Sequence, residues 1–398
     1  MTLLKIVTVA ALIAGPTLTA TAASAPAPQG WEQTAMRVPA AQRLAQGKGV
    51  TVAVLDTGVV AGHPEFRGRV TSGPDYIGGG ARPGQPYWGE HGTSMTSSVL
   101  KVAPQSRVLS VRVIWDHLDP ARKKVDEFIK DNDFKSAEKV GKPGNALAKG
   151  IHYAVDKGAK VISMSLGSDE WGWGGYEDDT AAAVDYALGK GVILLASAGN
   201  GGSTDRNDID ANNVVSYPAA YPGVIGVAAS GPTGRRADFS QVHTYTTIAA
   251  PGVDIWAANN KGAYDSGNGT SPACALAAGT VALMLSRNPD LTPRQVRDIL
   301  VTTAKRPTAT YTTFLGFGVI DAAAAVQAAG GAKAVKAVPY KGKKYFGQGP
   351  TDQTTKNAPL DTEYLVIGGV AAGIGLICLV GAFFLLRRRS SAKSGHRR

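Results

Sequence analysis

Cysteine is nearly absent from this chain, with only two residues, Cys274 and Cys378, among 398. Cys274 falls in a segment of small residues that is typical of a tightly packed helix, whereas Cys378 falls in a long apolar run near the carboxyl end. Two cysteines in such different settings are not expected to pair, so the sequence excludes a fold held by disulfides. The length is sufficient for one large α/β domain with appendages.

Net positive charge is also missing from most of the chain, although the formal net charge is +11. Residues 331–398 contain 12 Lys and Arg against 3 Asp and Glu, which leaves the rest of the sequence nearly neutral. Proteins that bind nucleic acid carry their basic residues in patches or stripes on the folded domain. The concentration of net positive charge in the tail therefore argues against a nucleic-acid partner.

An apolar run with targeting features lies at the amino end. Lys5 precedes the apolar stretch Ile6–Ala14, and small residues follow up to Ala25. This layout predicts a secretory signal peptide at 1–25, with cleavage after Ala22, Ala23 or Ala25. An uncleaved amino-terminal anchor is the alternative.

A second apolar run, residues 364–386, is uncharged and long enough to span the ~30 Å hydrocarbon layer of a membrane. Arg387, Arg388 and Arg389 follow it directly. Positively charged flanks stay in the cytoplasm. We therefore predict a single transmembrane helix at 364–386, a basic cytoplasmic tail at 387–398, and a large domain outside the cell at the cell membrane.

Between these runs, the pattern predicts a doubly wound parallel sheet of the α/β class. Predicted strands lie near 50–55, 107–113, 160–165, 191–197 and 223–229, and predicted helices near 145–157, 179–190, 271–287, 293–304 and 320–328. We place a short extension at 26–48, the α/β domain at 49–329 and a flexible polar stalk at 330–363. The charged segment 115–144 interrupts the alternation and is interpreted as a surface insertion.

Three motifs supply an acid, a base and a nucleophile, in that chain order. Asp56 ends an apolar strand, His91 precedes a Gly-Thr pair, and Ser271 follows one. A serine hydroxyl is a weak nucleophile at neutral pH and needs a base that a carboxylate orients. In α/β proteins, active sites lie at the carboxyl ends of the strands of the parallel sheet. Pro272 favours a helix that starts at Ser271. The set predicts acyl transfer to Ser271, with His91 as base and Asp56 as the acid that orients it.

Two further segments suit the same chemistry. Asn200 follows the predicted strand 192–195, and its side-chain amide can donate to the oxyanion of a tetrahedral intermediate. Ser165, Leu166 and Gly167 end another strand, where backbone groups can pair with an extended peptide. We predict that these three residues bind the substrate.

Other residues compete for functional roles. His63 is the rival base, but its Pro-containing loop favours a structural role. The spacing of Asp205, Asp208 and Asp210 suits calcium, yet Arg206 lies among them and a bidentate Glu is missing, which favours a solvated loop. We predict neither a metal nor a cofactor.

Together the motifs resemble the subtilisin-like serine peptidases, or subtilases. The matching stretches are 54–59, 91–93, 165–167, 198–200 and 269–271, and the resemblance extends over about residues 30–329. It implies that His91 is general base and then acid, that Ser271 is the nucleophile and that Asn200 helps to form the oxyanion hole. The chain departs from the family pattern at Ser97, where Gly is usual, and at Ala275, where Pro is usual.

The order of signal peptide, short extension, domain, stalk, membrane span and basic tail resembles the mycosins, which are subtilases associated with type VII secretion in actinobacteria. This resemblance implies an endopeptidase that acts on proteins or peptides and has membrane proteins of a secretion complex as partners. Mycosins typically carry disulfides, which this chain cannot form. The alternative is a structural subunit of such a complex, with a subtilase fold and incidental proteolysis.

Overall fold

The computed structural model describes residues 28, 30–133, 135–136, 145–167, 175–203, 214–306, 310–333, 335 and 362–394, with side chains of the last helix from 366 to 384. The chain divides into a large unit, residues 1–346, and a small unit, residues 347–398. The predicted signal peptide, most of the predicted stalk and the acidic loop 205–210 lie outside the described residues.

The large unit is built on a sheet of seven parallel strands. They are β1 (Thr51–Asp56), β2 (Val70–Asp75), β3 (Arg107–Arg112), β4 (Val161–Met164), β5 (Ile193–Ser197), β6 (Ile225–Ser230) and β7 (Thr246–Pro251). Their order is β2-β3-β1-β4-β5-β6-β7. Strands β2 and β3 are added on one side of β1 and strands β4 to β7 on the other, so the order of addition reverses beside β1. Such a reversal opens a crevice at the carboxyl ends of the strands. The doubly wound parallel sheet is confirmed, although β2 and β7 were not predicted.

Helices cover both faces of this sheet. They are α1 (Glu32–Ala35), α2 (Val38–Leu44), a 3-10 turn (Pro64–Phe66), α3 (Glu90–Val102), α4 (Pro120–Lys130), α5 (Ala146–Asp156), α6 (Asp178–Gly189), α7 (Thr270–Arg287), α8 (Pro293–Thr303) and α9 (Ala322–Gly331). A hairpin of β8 (Ile255–Ala258) and β9 (Tyr264–Gly267) precedes α7. Residues 272–285 of α7 are all buried, and its small side chains allow close packing. A Cβ on Gly279 would lie 2.8 Å from the carbonyl oxygen of Val99, so α3 and α7 approach each other closely there.

The segment before β1 packs on the domain through α1 and α2. Met36 is fully buried, and Nζ of Lys101 lies 3.0 Å from a carboxylate oxygen of Glu32. The side-chain amide of Gln42 donates to the carbonyl oxygens of Lys101 and Val102, both at 2.9 Å. These contacts tie the amino-terminal segment to the carboxyl end of α3, the end opposite to His91.

The charged segment 115–144 is only partly the surface insertion that we predicted. Asp116 and Asp119 are buried, with 2% and 0% exposure. Asp119 accepts a 2.7 Å hydrogen bond from Arg112 at the end of β3 and a 2.9 Å hydrogen bond from the N–H of Ala121 at the start of α4. The interpretation is wrong for the beginning of the segment, because its carboxylates satisfy a buried guanidinium and helix ends.

The small unit contains α10 (Thr362–Ser394). Within it, Val366–Phe384 is a 19-residue stretch of mean hydropathy 2.4, and none of it is buried. By length and composition this stretch can cross a membrane, and it is the one helix of that kind in the described part of the chain. An apolar helix is therefore found where the transmembrane segment was predicted.

Candidate active site

The predicted acid and base meet at the carboxyl end of β1. Asp56 is the last residue of β1 and is fully buried. Its Oδ1 lies 2.7 Å from Nδ1 of His91 and accepts a second hydrogen bond, also 2.7 Å, from the N–H of Thr57. Asp56 therefore fixes the orientation of the imidazole ring through Nδ1.

Gly92 explains why α3 can lie so close to the end of β1. A Cβ on Gly92 would lie 2.0 Å from the carbonyl oxygen of Gly58 and 3.3 Å from Cβ of Asp56. The Gly92 N–H donates to Oγ1 of Thr57 at 3.0 Å. The glycine after His91 is thus required by this close approach of helix and strand.

The electrostatic surroundings of His91 favour its charged form. Burial by itself lowers the pKa of His91, but the charge and hydrogen bond of Asp56, with further contributions from Asp116 and Glu90, raise the pKa above the usual 6.5. The side chain remains 35% exposed. Because Nδ1 is held by a buried carboxylate, the accessible part of the ring is the part directed away from Asp56.

A third carboxylate, Asp116, contacts the same helical turn and was not predicted. Its Oδ1 accepts from the N–H of His91 and its Oδ2 from the N–H of Glu90, both at 3.1 Å. We missed Asp116 because it lies in the segment that we interpreted as a surface insertion. The available signal was its position shortly after β3, since the ends of parallel strands share one edge of a sheet.

Ser271 is held at the same edge by the end of β4. Its hydroxyl donates to the carbonyl oxygen of Ser165 at 3.2 Å, and the Ser165 hydroxyl donates to the carbonyl oxygen of Ser271 at 2.9 Å. Because β4 pairs directly with β1, this reciprocal pair places Ser271 on the strand edge that carries Asp56. Ser271 is also in the first turn of α7, where the helix dipole favours negative charge.

Asn200 lies beside this helix start. Its Oδ1 accepts hydrogen bonds from the N–H and the hydroxyl of Thr270, both at 2.8 Å. A Cβ on Gly269 would lie 3.5 Å from Nδ2 of Asn200 and 3.5 Å from the main-chain nitrogen of Ser271. The side-chain amide nitrogen of Asn200 and the main-chain nitrogen of Ser271 thus both lie near Gly269, and the oxyanion role of Asn200 stays a prediction.

The three predicted substrate-binding residues differ in their surroundings. Ser165 is 2% exposed and bonds Ser271, as described above. The carbonyl oxygen of Leu166 accepts a 3.1 Å hydrogen bond from the hydroxyl of Ser197. Gly167 is exposed, and a Cβ on it would lie 2.3 Å from Oγ of Ser216. Among the three, Gly167 is therefore the exposed residue, and substrate binding by this stretch stays a prediction.

His63 is not the histidine that contacts Asp56. It is 3% exposed, and its Nδ1 accepts a 3.2 Å hydrogen bond from the N–H of Glu65. Its ring packs against Phe66 at 5.4 Å and Tyr264 at 5.6 Å between centroids. His63 thus caps the 3-10 turn, in agreement with the structural role favoured by the sequence.

Ser97 shows how the chain accommodates a departure from the family pattern. Its hydroxyl donates to Oε1 of Glu65 at 2.9 Å and accepts from the N–H of Ala258 at 3.0 Å. The side chain therefore connects α3 with the 3-10 turn and with β8. The departure leaves α3 continuous from Glu90 to Val102.

Within the described residues, no group of three or more His, Cys, Asp or Glu side chains is arranged to hold a metal ion. The acidic residues Asp205, Asp208 and Asp210 lie outside those residues. The chemistry predicted from the motifs requires no cofactor, since Ser271 supplies the nucleophile and His91 the base.

Comparison with known sequences identifies the family. The profile of the Subtilase family matches residues 47–319, so the chain belongs to the subtilase family. Thermitase from Thermoactinomyces vulgaris is 31% identical over 302 residues, which cover 73% of this chain and 94% of thermitase. Fervidolysin from Fervidobacterium pennivorans is 33% identical over 295 residues, which cover 65% of this chain but only 38% of fervidolysin. The chain is a subtilisin-like serine protease.

Solved structures support the finer resemblance. MycP1 from Mycobacterium smegmatis superimposes with a TM-score of 0.59 at 27% identity, covering 81% of this chain and 90% of that one. MycP3, a protease from the type VII (ESX-3) secretion system, gives a TM-score of 0.60 at 28% identity, covering 76% of this chain and 89% of that one. The resemblance to subtilases, mycosins included, is confirmed.

Proposed function

We propose that this protein is a membrane-anchored endopeptidase that cleaves peptide bonds through an acyl-enzyme on Ser271. The observation that carries this proposal is the 2.7 Å contact between His91 and Asp56 on the sheet edge to which Ser165 ties Ser271. An oriented base beside a serine at a helix start is the arrangement that makes a hydroxyl nucleophilic.

Each group has a defined part in the first half of the reaction. The Ser271 hydroxyl leaves the carbonyl oxygen of Ser165 and gives its proton to Nε2 of His91 as Oγ bonds to the substrate carbonyl carbon. Asp56 stabilises the imidazolium that results. The oxyanion of the tetrahedral intermediate accepts from Nδ2 of Asn200 and the main-chain N–H of Ser271. His91 then protonates the leaving amine as the C–N bond breaks.

The second half of the reaction releases the acyl group. Water attacks the Ser271 ester while His91 accepts one of its protons, and the proton returns to Oγ as the acid product leaves. The peptide on the acyl side lies as an extended strand along the exposed backbone at Gly167. The glycine itself is required by the fold, since a Cβ there would lie 2.3 Å from Oγ of Ser216.

We also infer that the catalytic unit faces outward and serves a secretion system of the mycosin kind. The apolar helix 366–384 is followed by three arginines at 387–389, which favours a cytoplasmic carboxyl end. MycP1, a structural neighbour, is described as an essential component of the type VII (ESX-1) secretion system. Partner membrane proteins of such a system would meet this chain on the outer side of the membrane.

Covalent labelling tests the enzymatic proposal against a purely structural subunit. The full chain in detergent is treated with a fluorophosphonate, alongside Ser271→Ala and the control Ser266→Ala, which alters an exposed serine of β9. We expect stoichiometric labelling of the wild type and the control, and none of Ser271→Ala. A folded wild-type protein that takes up no label would favour the structural subunit.

A further inference from the structure

The first turn of α3 is capped in an unusual way. Gly89, which precedes the helix, has left-handed backbone geometry with φ of 64° and no side chain to cap it. The N–H groups of Glu90 and His91 instead donate to the two carboxylate oxygens of Asp116, each at 3.1 Å. A helix start is usually capped by the residue just before it, whereas Asp116 lies 25 residues after His91.

The segment that carries Asp116 is tied to the same strand end as Asp56. The N–H of Val113 donates to the carbonyl oxygen of Asp56 at 2.8 Å, and the side chain of Thr57 hydrogen-bonds the Asp116 carboxylate. Asp116 is 2% exposed, so protein groups rather than water hold it. One short network therefore joins the main chain of His91 to the strand that provides its carboxylate partner.

Three carboxylates face His91 from the elements around it. They are Asp56 from β1, Asp116 from the segment after β3, and Glu90 from α3 itself. Burial opposes a charged imidazole, yet the pKa of His91 is raised, because these carboxylates outweigh burial. Burial and the charge of Asp56 raise the pKa of Asp116, whereas hydrogen bonds from the N–H groups of His91 and Glu90 and from Thr57 favour its ionised form.

We propose that Asp116 is a positioning residue for peptide-bond cleavage, which holds the His91 main chain in register with Asp56 and stabilises the imidazolium through its charge. This proposal rests on the proposed function, because it concerns the proton that His91 takes from Ser271 and returns to the leaving amine. A rigid, oriented charge acts on the imidazolium without any rearrangement at the moment of reaction. A loosened first turn of α3 would instead let the ring move away from Ser271.

The test uses Asp116→Asn and Asp116→Glu in the full chain, with Asp119→Asn as the matched control. In Asp116→Asn the charge and one acceptor are lost, so we expect kcat to fall about 10- to 100-fold. KM should stay within about twofold, since the loss affects the transition state. The acid limb of the kcat/KM profile should move to lower pH, because the imidazolium loses a stabilising charge. Asp119→Asn changes a buried carboxylate of the same segment that bonds Arg112, so its acid limb should not move.

Each outcome decides the proposal. Asp116→Asn with a wild-type kcat, or with a wild-type acid limb, would overturn it. If Asp116→Asn does not fold, Asp116→Glu decides: the charge is kept but displaced by one methylene, so kcat should fall while the acid limb stays in place, and a wild-type kcat would refute positioning. Failure of the wild type to react with a fluorophosphonate would contradict the proposed function itself, so the two failures are distinguishable.

Discussion

Thr270 orients the side-chain amide of Asn200. Both its N–H and its hydroxyl donate to Oδ1 of Asn200 at 2.8 Å. Because the amide group is planar, fixing the oxygen also fixes Nδ2, which lies near Gly269. The residue directly before Ser271 therefore holds in place the amide that we propose as an oxyanion donor, and a donor held in this way needs no reorganisation when the oxyanion forms.

We predict that Asn200→Ala lowers kcat while KM changes little. The donor acts mainly when the oxyanion forms, and the loss takes its magnitude from subtilisin, where removing the corresponding donor costs about 10²–10³ in kcat. Steady-state kinetics on a peptide substrate would measure both constants. Asn268→Ala is the control, because the side-chain oxygen of Asn268 accepts a hydrogen bond from the N–H of Asp254 rather than from Thr270. If Asn200→Ala changed only KM, the assignment of Asn200 as an oxyanion donor would be wrong.

Ser271→Ala and His91→Ala should each abolish hydrolysis by a similar factor, about 10⁶ in the rate of the chemical step, as in subtilisin. Their double mutant should be scarcely worse, since the two groups act as a unit. Single-turnover rates on a chromogenic peptide would show this. His63→Ala is the matched control, since His63 caps the 3-10 turn; if it lost activity while His91→Ala kept it, the assignment of the base would be wrong.

His91 and Ser271 could be predicted from the sequence because each lies close to a glycine that local structure requires. Gly92 is needed where α3 meets the end of β1, and Gly269 leaves room in front of the helix start, so short motifs carry the site. Asp116 has no such neighbours, and its role depends on how the segment after β3 folds back to α3. Contacts of that kind depend on tertiary structure and leave no periodic pattern in one sequence.

The same distinction applies to the fold. The interior strands β1, β4 and β5 are buried runs of apolar residues and were predicted within a residue or two. The edge strand β2 contains Gly73 and Pro74 and has no buried residue, so it lacked the apolar signal of a strand. The other edge strand, β7, is rich in small residues, and its identity as a strand depends on its pairing with β6.

We predict that the acid limb of kcat/KM lies above pH 6.5. The proposed mechanism requires neutral His91, whose pKa is raised above 6.5 because the charge of Asp56 and the nearby carboxylates outweigh burial. A raised pKa also means that the folded state binds the His91 proton more tightly than the unfolded chain. This contribution to stability is complete below about pH 6.5 and is lost as the pH rises through the folded pKa. An acid limb at or below pH 6.5 would contradict the electrostatic picture.

Removal of residues from Tyr364 onward should release an active, soluble protein. The apolar stretch 366–384 lies beyond the subtilase region, which ends near residue 319, so activity on a soluble peptide should stay within about twofold.

Replacing Arg387, Arg388 and Arg389 by Gln in the full chain should weaken membrane retention or orientation. Fractionation and protease protection of intact cells would test both. Protection of the 50–330 region in the cytoplasm would refute the outward orientation.

The ion pair of Glu32 and Lys101 should make the amino-terminal segment a stabilising part of the domain. The Glu32 side chain is 0% exposed and that of Lys101 8% exposed, with a 3.0 Å separation. Glu32→Ala would leave the ammonium buried without its partner, so we expect a loss of roughly 3–5 kcal/mol in the free energy of unfolding. Replacing both residues by Met should cost less than Glu32→Ala, because no charge is then left buried.

The control for this prediction is Asp126→Ala, which breaks the exposed pair of Arg122 and Asp126 on α4, where the side chains are 41% and 40% exposed. An exposed pair at this helical spacing is worth about 0.3–0.5 kcal/mol. Urea unfolding of the chain truncated before Tyr364 would compare the variants. If Glu32→Ala lost no more stability than Asp126→Ala, the amino-terminal segment would be a loosely attached appendage, and its contact with α3 would contribute nothing to the folded domain.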